Sequence, residues 1–333
     1  MKIFKAKDIV SFKTGKLDSN AAIKGGVYPF FTCSQETYAI NSYAFDTECV
    51  LLAGNNAAGV FPLKYFKGKF NAYQRTYIIE PLDESVLDIK YFYYFLRPLL
   101  QTFQQQATGA TTKFLTLKIL NSLEVALPDI TTQKKIAAIL SAYDDLIENN
   151  KQRIKLLESM AEELYKEWFV RFRFPNWQNT EFEKGVPKGW ETCNLESLGN
   201  VRTGKTPSTL NAEFYGGEFP FYKTPDMHNT VFVFDTEETL TEQGLNSQKS
   251  QIIEENSIMV TCIGTGGVTA IATKKGCTNQ QINTLTLSSP KYLCWAFYTI
   301  KGLKAQIELF GATGATMTNL SKGKFCNLQI VKP

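Results

Sequence analysis

The sequence predicts an α/β (α+β) protein made of two copies of one domain joined by a long coiled-coil helix. Three observations predict this. Short motifs recur in the same order in the two halves, a heptad seam runs between them, and each half mixes short β-like runs with helix-like segments. The expected division is residues 1–130, a helix over 131–174, and residues 175–333.

The repeats come first. Lys13-Thr14-Gly15-Lys16 recurs as Arg202-Thr203-Gly204-Lys205. Gly25-Gly26-Val27-Tyr28-Pro29-Phe30-Phe31 recurs as Gly216-Gly217-Glu218-Phe219-Pro220-Phe221-Tyr222, and Thr108-Gly109-Ala110-Thr111 as Thr313-Gly314-Ala315-Thr316. The offsets are 189, 191 and 205, so the second copy carries insertions, mainly between Pro225 and Ile258. One match would be coincidence in Gly/Thr-rich loops; three in order argue for duplication.

Within each copy, β-like runs such as Cys49-Val50-Leu51-Leu52, Tyr77-Ile78-Ile79 and Ile258-Met259-Val260 alternate with Gly/Asn turns. Helix-like segments follow at Ile89 to Gln106 and Trp295 to Phe310. A twisted sheet with a few helices is therefore expected in each copy.

Between the copies, Ile136, Leu140, Tyr143, Ile147, Asn150, Ile154, Leu157, Ala161, Leu164 and Trp168 alternate steps of 4 and 3. That is an a/d seam. Pro128 blocks earlier helix, Thr131 or Thr132 can cap the start, and Pro175 bars continuation. A helix over 131–172 would be on the order of 60 Å long. It cannot bury its own apolar stripe, so it needs a partner helix or the flanking domains. Asn150 on the seam costs stability and can fix register.

Composition bounds the chemistry. Of 333 residues, 44% are apolar and 20% charged, which suits globular domains, not disorder. The net charge of +4 permits a polyanionic partner without requiring one. Seven scattered cysteines form no C-x-x-C pair, so neither a disulfide framework nor a zinc site is indicated, and free thiols fit a reducing cytoplasm. No signal peptide or membrane span is read.

The stretch Lys118-Ile119-Leu120-Asn121-Ser122-Leu123-Glu124-Val125-Ala126-Leu127-Pro128, with Gln133-Lys134-Lys135-Ile136-Ala137-Ala138-Ile139-Leu140, resembles the lead-in to the central helix of type I restriction–modification specificity (S) subunits. The helix through Asp144, Asn149, Asn150 and Arg153 to Trp168 is similar to the rest of it, and Val186-Pro187-Lys188-Gly189-Trp190 to the start of the second target-recognition domain. The resemblance implies a DNA-binding subunit without catalysis of its own. Its two target-recognition domains would each read one half of a bipartite double-stranded site. Its helix would be a platform for methyltransferase (M) subunits, with restriction (R) subunits completing the complex. The cofactors, S-adenosylmethionine, ATP and magnesium, would belong to those partners and none to this chain. Thr108 to Pro128 and Thr313 to Pro333 are both 20-residue spacings, so the sequence stops where the family's second, antiparallel helix is expected. A homodimer through residues 131–172 is one expectation that follows.

Candidate DNA contacts are read from residue chemistry. Thr14, Lys16, Lys205, Thr206 and Ser208 lie in the repeated Thr-Gly-Lys loop, where backbone N–H groups, hydroxyls and a lysine suit a phosphate. Asn55 and Asn56 sit in a Gly-bounded loop, and Gln74, Arg75, Gln280 and Gln281 at strand edges. Amides pair with adenine and arginine with guanine in the major groove, although structural hydrogen bonding competes for each. Lys113 and the pair Lys274-Lys275 suit phosphate contacts or plain solvation. Recognition domains on one rod would meet half-sites about one helical turn apart, ~34 Å.

Two other functions compete. Gly199-Asn200-Val201-Arg202-Thr203-Gly204-Lys205-Thr206 matches the G-x-x-x-x-G-K-[ST] loop of nucleotide hydrolases. A polar stretch precedes it and Pro207 follows, so strand and helix are not expected around it. The first copy keeps Thr14-Gly15-Lys16 but has Val10 where Gly199 stands. The other competitor is a coiled-coil scaffold, or an inactive remnant of a specificity subunit. Metal or acid–base catalysis finds little support, with His228 the single histidine.

Overall fold

The computed structural model describes residues 1–56, 59–107, 113–312 and 318–333. The repeated Thr108–Thr111 and Thr313–Thr316 motifs lie outside the described residues. Two compact units meet within the central helix, Met1–Ile154 and Lys155–Pro333.

The first unit holds β1 (Lys2–Lys5), β2 (Val10–Thr14), β3 (Tyr28–Phe31), β4 (Tyr38–Ile40), β5 (Phe45–Ala53), β6 (Asn55–Asn56), β7 (Leu63–Ala72), β8 (Thr76–Pro81), α1 (Ile89–Leu96), α2 (Leu100–Gln106), β9 (Lys113–Phe114), α3 (Leu117–Ser122) and β10 (Glu124–Leu127). Six strands form one sheet in the order β2-β8-β5-β7-β3-β4, and β1–β10 and β6–β9 are separate ribbons. β5 is central and covered on both faces. Its Val50 and Leu52 pack with Ile79, Phe92 and Leu96, while Cys49 and Leu51 pack with Phe31, Phe70 and Ile78. The apolar run Cys49–Leu52 is a buried strand for this reason. Pro98 divides the expected Ile89–Gln106 helix into α1 and α2 around a 3₁₀ turn, Arg97–Leu99.

The helix α4 (Ile130–Tyr165) follows, 36 residues long, or about 54 Å at its ordinary rise. It passes into a π-helical turn over Lys166–Val170, short of the expected residue 172. The cap also differs from expectation. Asp129 accepts from the Thr132 amide at 3.0 Å and the Thr132 hydroxyl at 2.7 Å, so Asp129 caps the helix and Thr132 lies in its first turn.

The second unit repeats the plan. It contains β11 (Phe182–Glu183), β12 (Val186–Pro187), β13 (Glu191–Asn194), β14 (Gly199–Thr203), β15 (Tyr215–Tyr222), β16 (Phe232–Val233), β17 (Thr239–Leu240), α5 (Glu242–Asn246), β18 (Ile258–Thr261), β19 (Ile263–Gly264), β20 (Thr269–Ala272), β21 (Cys277–Thr278), β22 (Ile282–Leu287), α6 (Leu293–Gly302), α7 (Lys304–Gly311), β23 (Thr318–Asn319), α8 (Lys322–Cys326) and β24 (Gln329–Lys332). Its sheets run β14-β22-β18-β20-β16 and β17-β15-β21.

Register makes the duplication explicit. β2 pairs with β8 as β14 pairs with β22, and β5 with β8 as β18 with β22. β3 runs parallel to β7 as β15 runs parallel to β21. β1 pairs with β10 as β13 pairs with β24. The continuous β7 of the first copy is interrupted in the second, where Thr273–Gly276 separates β20 from β21. The inserted residues between Pro225 and Ile258 form β16 and α5, with β17 taking the place of β4.

Each unit grips its own part of α4. In the first, Gln133 is fully buried. Its Nε2 donates to the Val86 and Pro128 carbonyls at 2.9 and 3.0 Å, and its Oε1 accepts from the Asp88 amide at 3.0 Å. Asp144 accepts from the Tyr94 hydroxyl at 2.9 Å and pairs with Arg97 at 3.1 Å. In the second, Tyr298 donates to the Glu158 carbonyl at 3.3 Å and Lys301 pairs with Glu162 at 2.6 Å. Tyr94 on α1 and Arg97 in the turn just after it thus have counterparts in Tyr298 and Lys301 on α6.

Candidate nucleic-acid interface

At one end of the main sheet in each unit, three loops come together. The first is the repeated Thr-Gly-Lys segment. A Cβ on Gly15 would lie 1.9 Å from the Ala72 carbonyl oxygen, and one on Gly204 would lie 2.1 Å from that of Asn279. Only glycine lets the chain leaving β2 or β14 pass so close to the neighbouring backbone. Lys16 and Lys205 follow, both exposed. The expectation of free backbone N–H groups is corrected in the second unit. There Gly204 N–H donates to the Ile282 carbonyl and Lys205 N–H to that of Thr278, so these two amides are not available to a phosphate.

The second loop is a β-turn. In the first unit Thr76 N–H donates to the Tyr73 carbonyl at 2.9 Å, leaving Gln74 and Arg75 at the tip. In the second, Ile282 N–H donates to the Asn279 carbonyl at 3.3 Å, leaving Gln280 and Gln281 there. The turns are equivalent residue by residue: Gly54 N–H binds the Arg75 carbonyl, and Cys262 N–H binds that of Gln281, both at 2.7 Å.

The third loop is a two-stranded ribbon. β6 pairs with β9, Asn55 opposite Phe114 and Asn56 opposite Lys113. Its counterpart pairs β19 with β23, Ile263 opposite Asn319. Leu115 N–H to the Gly54 carbonyl and Leu320 N–H to the Cys262 carbonyl tie ribbon to turn in both copies.

The side chains on this common frame differ. Gln74 Nε2 donates to Asp18 at 2.8 Å, and the Arg75 guanidinium lies 5.3 Å from the centre of the Phe114 ring. Thr206 donates to Gln280 Oε1 at 2.7 Å. Gln281 Oε1 accepts from Thr224 at 3.3 Å and Asn279 at 3.2 Å, which commits that carbonyl inward. Asn55 Oδ1 is buried, with no hydrogen-bond partner among the described residues, so it offers no acceptor at the surface. Thr14 and Ser208 are exposed beside their loops, and Lys113 is half-buried in the ribbon.

Thr14, Lys16, Asn55, Asn56, Gln74, Arg75 and Lys113 therefore gather at one end of the first unit, and Lys205, Thr206, Ser208, Gln280 and Gln281 at one end of the second. Lys274 and Lys275 stand apart. They follow Ala272, which is bonded to Ser257 ahead of β18, whereas Gln281 is bonded to Cys262 just beyond the other end of that strand. Sequence reasoning missed Phe114, Asp18 and Asn319. Their only signal was position relative to strands whose pairing was not yet known.

The P-loop match fails on geometry. Gly199–Thr203 is strand β14 itself, hydrogen-bonded to β22, where a phosphate-cradling loop should be. No helix begins at Thr206; a turn and the short 3₁₀ segment Ala212–Phe214 follow.

A family model described as the type I restriction modification DNA specificity domain matches residues 1–159 and again 187–333. The chain belongs to this family. The two matches fall on the two copies seen in the sheet registers. The chain is similar to the type I restriction enzyme HindI specificity subunit of Haemophilus influenzae, 29% identical over 68% of this chain and 63% of that one. It is also similar to the EcoDI specificity subunit of Escherichia coli, 38% identical over 58% of this chain and 48% of that one. It thus spans about half to two thirds of the length of these relatives. In structure it resembles the type I restriction–modification S subunit of M. genitalium, with a TM-score of 0.66 and 17% identity over 99% of this chain and 84% of that one; this likeness shows the fold. No helix among the described residues is long and apolar enough to cross a membrane.

Proposed function

We propose that this specificity-domain chain reads double-stranded DNA as two half-sites, one per unit, and delivers that sequence choice to methyltransferase and restriction subunits. One observation carries the reading: two copies of one fold present the same three loops on the same hydrogen-bonded frame, with different side chains at the tips. A shared frame with divergent tips suits two readers of unlike sequences. Lys16 and Lys205 supply phosphate contacts that set position, while the turn and ribbon side chains face base edges. S-adenosylmethionine, ATP and magnesium act in the partner subunits, and this chain contributes recognition without catalysis. The setting of such a complex is the cytoplasm.

The test is a binding titration against salt. Lys16→Ala and Lys205→Ala should each lower the slope of log affinity against log salt by about 1 unit, with little change in sequence preference. A salt-independent affinity would overturn the reading.

The helix supports a second element of the proposal, self-association. Tyr143 is 63% exposed, Ile154 56% and Leu157 61%, and Leu140, Ile147 and Leu164 are also exposed along the seam. Ile136, Ala161 and Trp168 are half-buried. Ile139, Leu146 and Met160 widen the exposed stripe. A second copy's helix would cover it. Sedimentation equilibrium at micromolar concentration should give a dimer mass; a stable monomer would rule this out.

A further inference from the structure

We propose that Arg75 reads a guanine in the half-site of the first unit, and that the second unit makes no guanine contact from the equivalent turn position. This deepens the DNA-reading proposal and rests on it.

Arg75 occupies the outer half of the Tyr73–Thr76 turn, and its backbone is fixed. Its carbonyl accepts from Gly54 N–H at 2.7 Å and from the Cys33 thiol at 3.4 Å. Its side chain is exposed, and among the described residues it pairs with no carboxylate. Arg97 and Lys13, by contrast, are paired with Asp144 and Glu80.

The guanidinium instead lies over the Phe114 ring at 5.3 Å. A ring beneath a guanidinium restricts its rotation, and no acceptor among the described residues bonds its N–H edge. Two parallel N–H groups on such an edge match the O6 and N7 acceptors of guanine in the major groove. Phe114 is itself held by β9, opposite Asn55. Arginine and ring therefore form one preorganised unit.

The second copy provides an internal comparison. Gln281 stands at the position of Arg75, and Asn319 at the position of Phe114. The arginine and its ring are present together in one copy and absent together in the other. The hydrogen bonds that hold the turn are kept in both. Gln281 Oε1 is bonded by Thr224 and Asn279, so this glutamine belongs to the scaffold of its turn.

The experiment is selection of bound duplexes from a randomised library by the full chain assembled with its methyltransferase subunits, for wild type, Arg75→Ala and Arg75→Lys. Wild type should select two short motifs, one of which contains a required guanine. Arg75→Ala should relax that base by roughly 5- to 150-fold, the range for one bidentate contact, and leave the other motif intact. Arg75→Lys should keep the salt dependence yet lose most of the guanine preference, because lysine lacks the fork. The unchanged second motif reports that the variants remain folded. Two unaltered motifs in Arg75→Ala would overturn the assignment, as would a uniform loss on all sequences that lysine restores, which marks a phosphate contact. If wild type selects no pair of motifs, the DNA-reading proposal itself fails.

Discussion

Gly15 and Gly204 show what a single residue decides in this fold. Each is a point where two backbones approach too closely for a Cβ, and each delivers a lysine to the surface. Gly15→Ala should cost about 1–3 kcal/mol through overpacking and weaken DNA binding at the same time, and urea denaturation alongside a binding titration checks both. The recurrence of Thr-Gly-Lys was visible in the sequence, but its reason was not. Hydroxyls, glycine and lysine suggest a phosphate loop, whereas the carbonyls of Thr278 and Ile282 that consume the N–H groups come from strands distant in sequence. Arg75 was legible as an arginine at a strand edge. Its ring partner, Phe114, was not, because nothing local shows that β9 returns to lie beside Gly54.

At the scale of elements, the central helix was the most legible part, since a 4-3 alternation depends only on local spacing. Its ends were less so. Asp129 competes with Thr131 and Thr132 as a cap, and local sequence does not distinguish which side chain bonds the first turn. The helix is held to the first unit by Gln133, which has no exposed surface and pairs both ends of its amide. Gln133→Leu should cost roughly 2–4 kcal/mol, because it leaves the part-buried Asp88 N–H and the Val86 and Pro128 carbonyls without this partner; chemical denaturation reads this directly. Acid should loosen the helix as well. Hydrogen bonds from Lys301 and Lys166 hold the Glu162 carboxyl below its ordinary range, and those from Thr132 do the same for Asp129. Groups with depressed values stabilise fully above their unfolded pKa, about 4, and lose that contribution as pH falls through the folded values. Helical circular dichroism should therefore hold from neutral pH to about 5 and decline below about 4. On the seam, Asn150→Leu should tighten self-association while loosening its register, and sedimentation analysis of the variant tests this; association no tighter than wild type would place Asn150 outside the contact.

For the whole molecule, duplication is the organising fact. Three short motifs announced it, and the paired sheet registers extend it from β1–β10 and β13–β24 through to the turn tips. The second copy was harder to read because the insertion after Pro225 builds β16 and α5, and because Thr273–Gly276 separates β20 from β21 where the first copy has one strand. Its lysine pair at 274–275, read from the sequence as suiting phosphate contact or solvation, lies at the other end of β18 from Gln281. On the proposed reading, the unlike turn tips, Arg75 in one copy and Gln281 in the other, select different bases in the two half-sites. The direct measurement is a genome-wide map of methylated adenines in cells that express this chain with its methyltransferase subunit. Two short, unlike motifs separated by a fixed number of unspecified bases are expected. A single contiguous motif, or methylation without sequence preference, would contradict this.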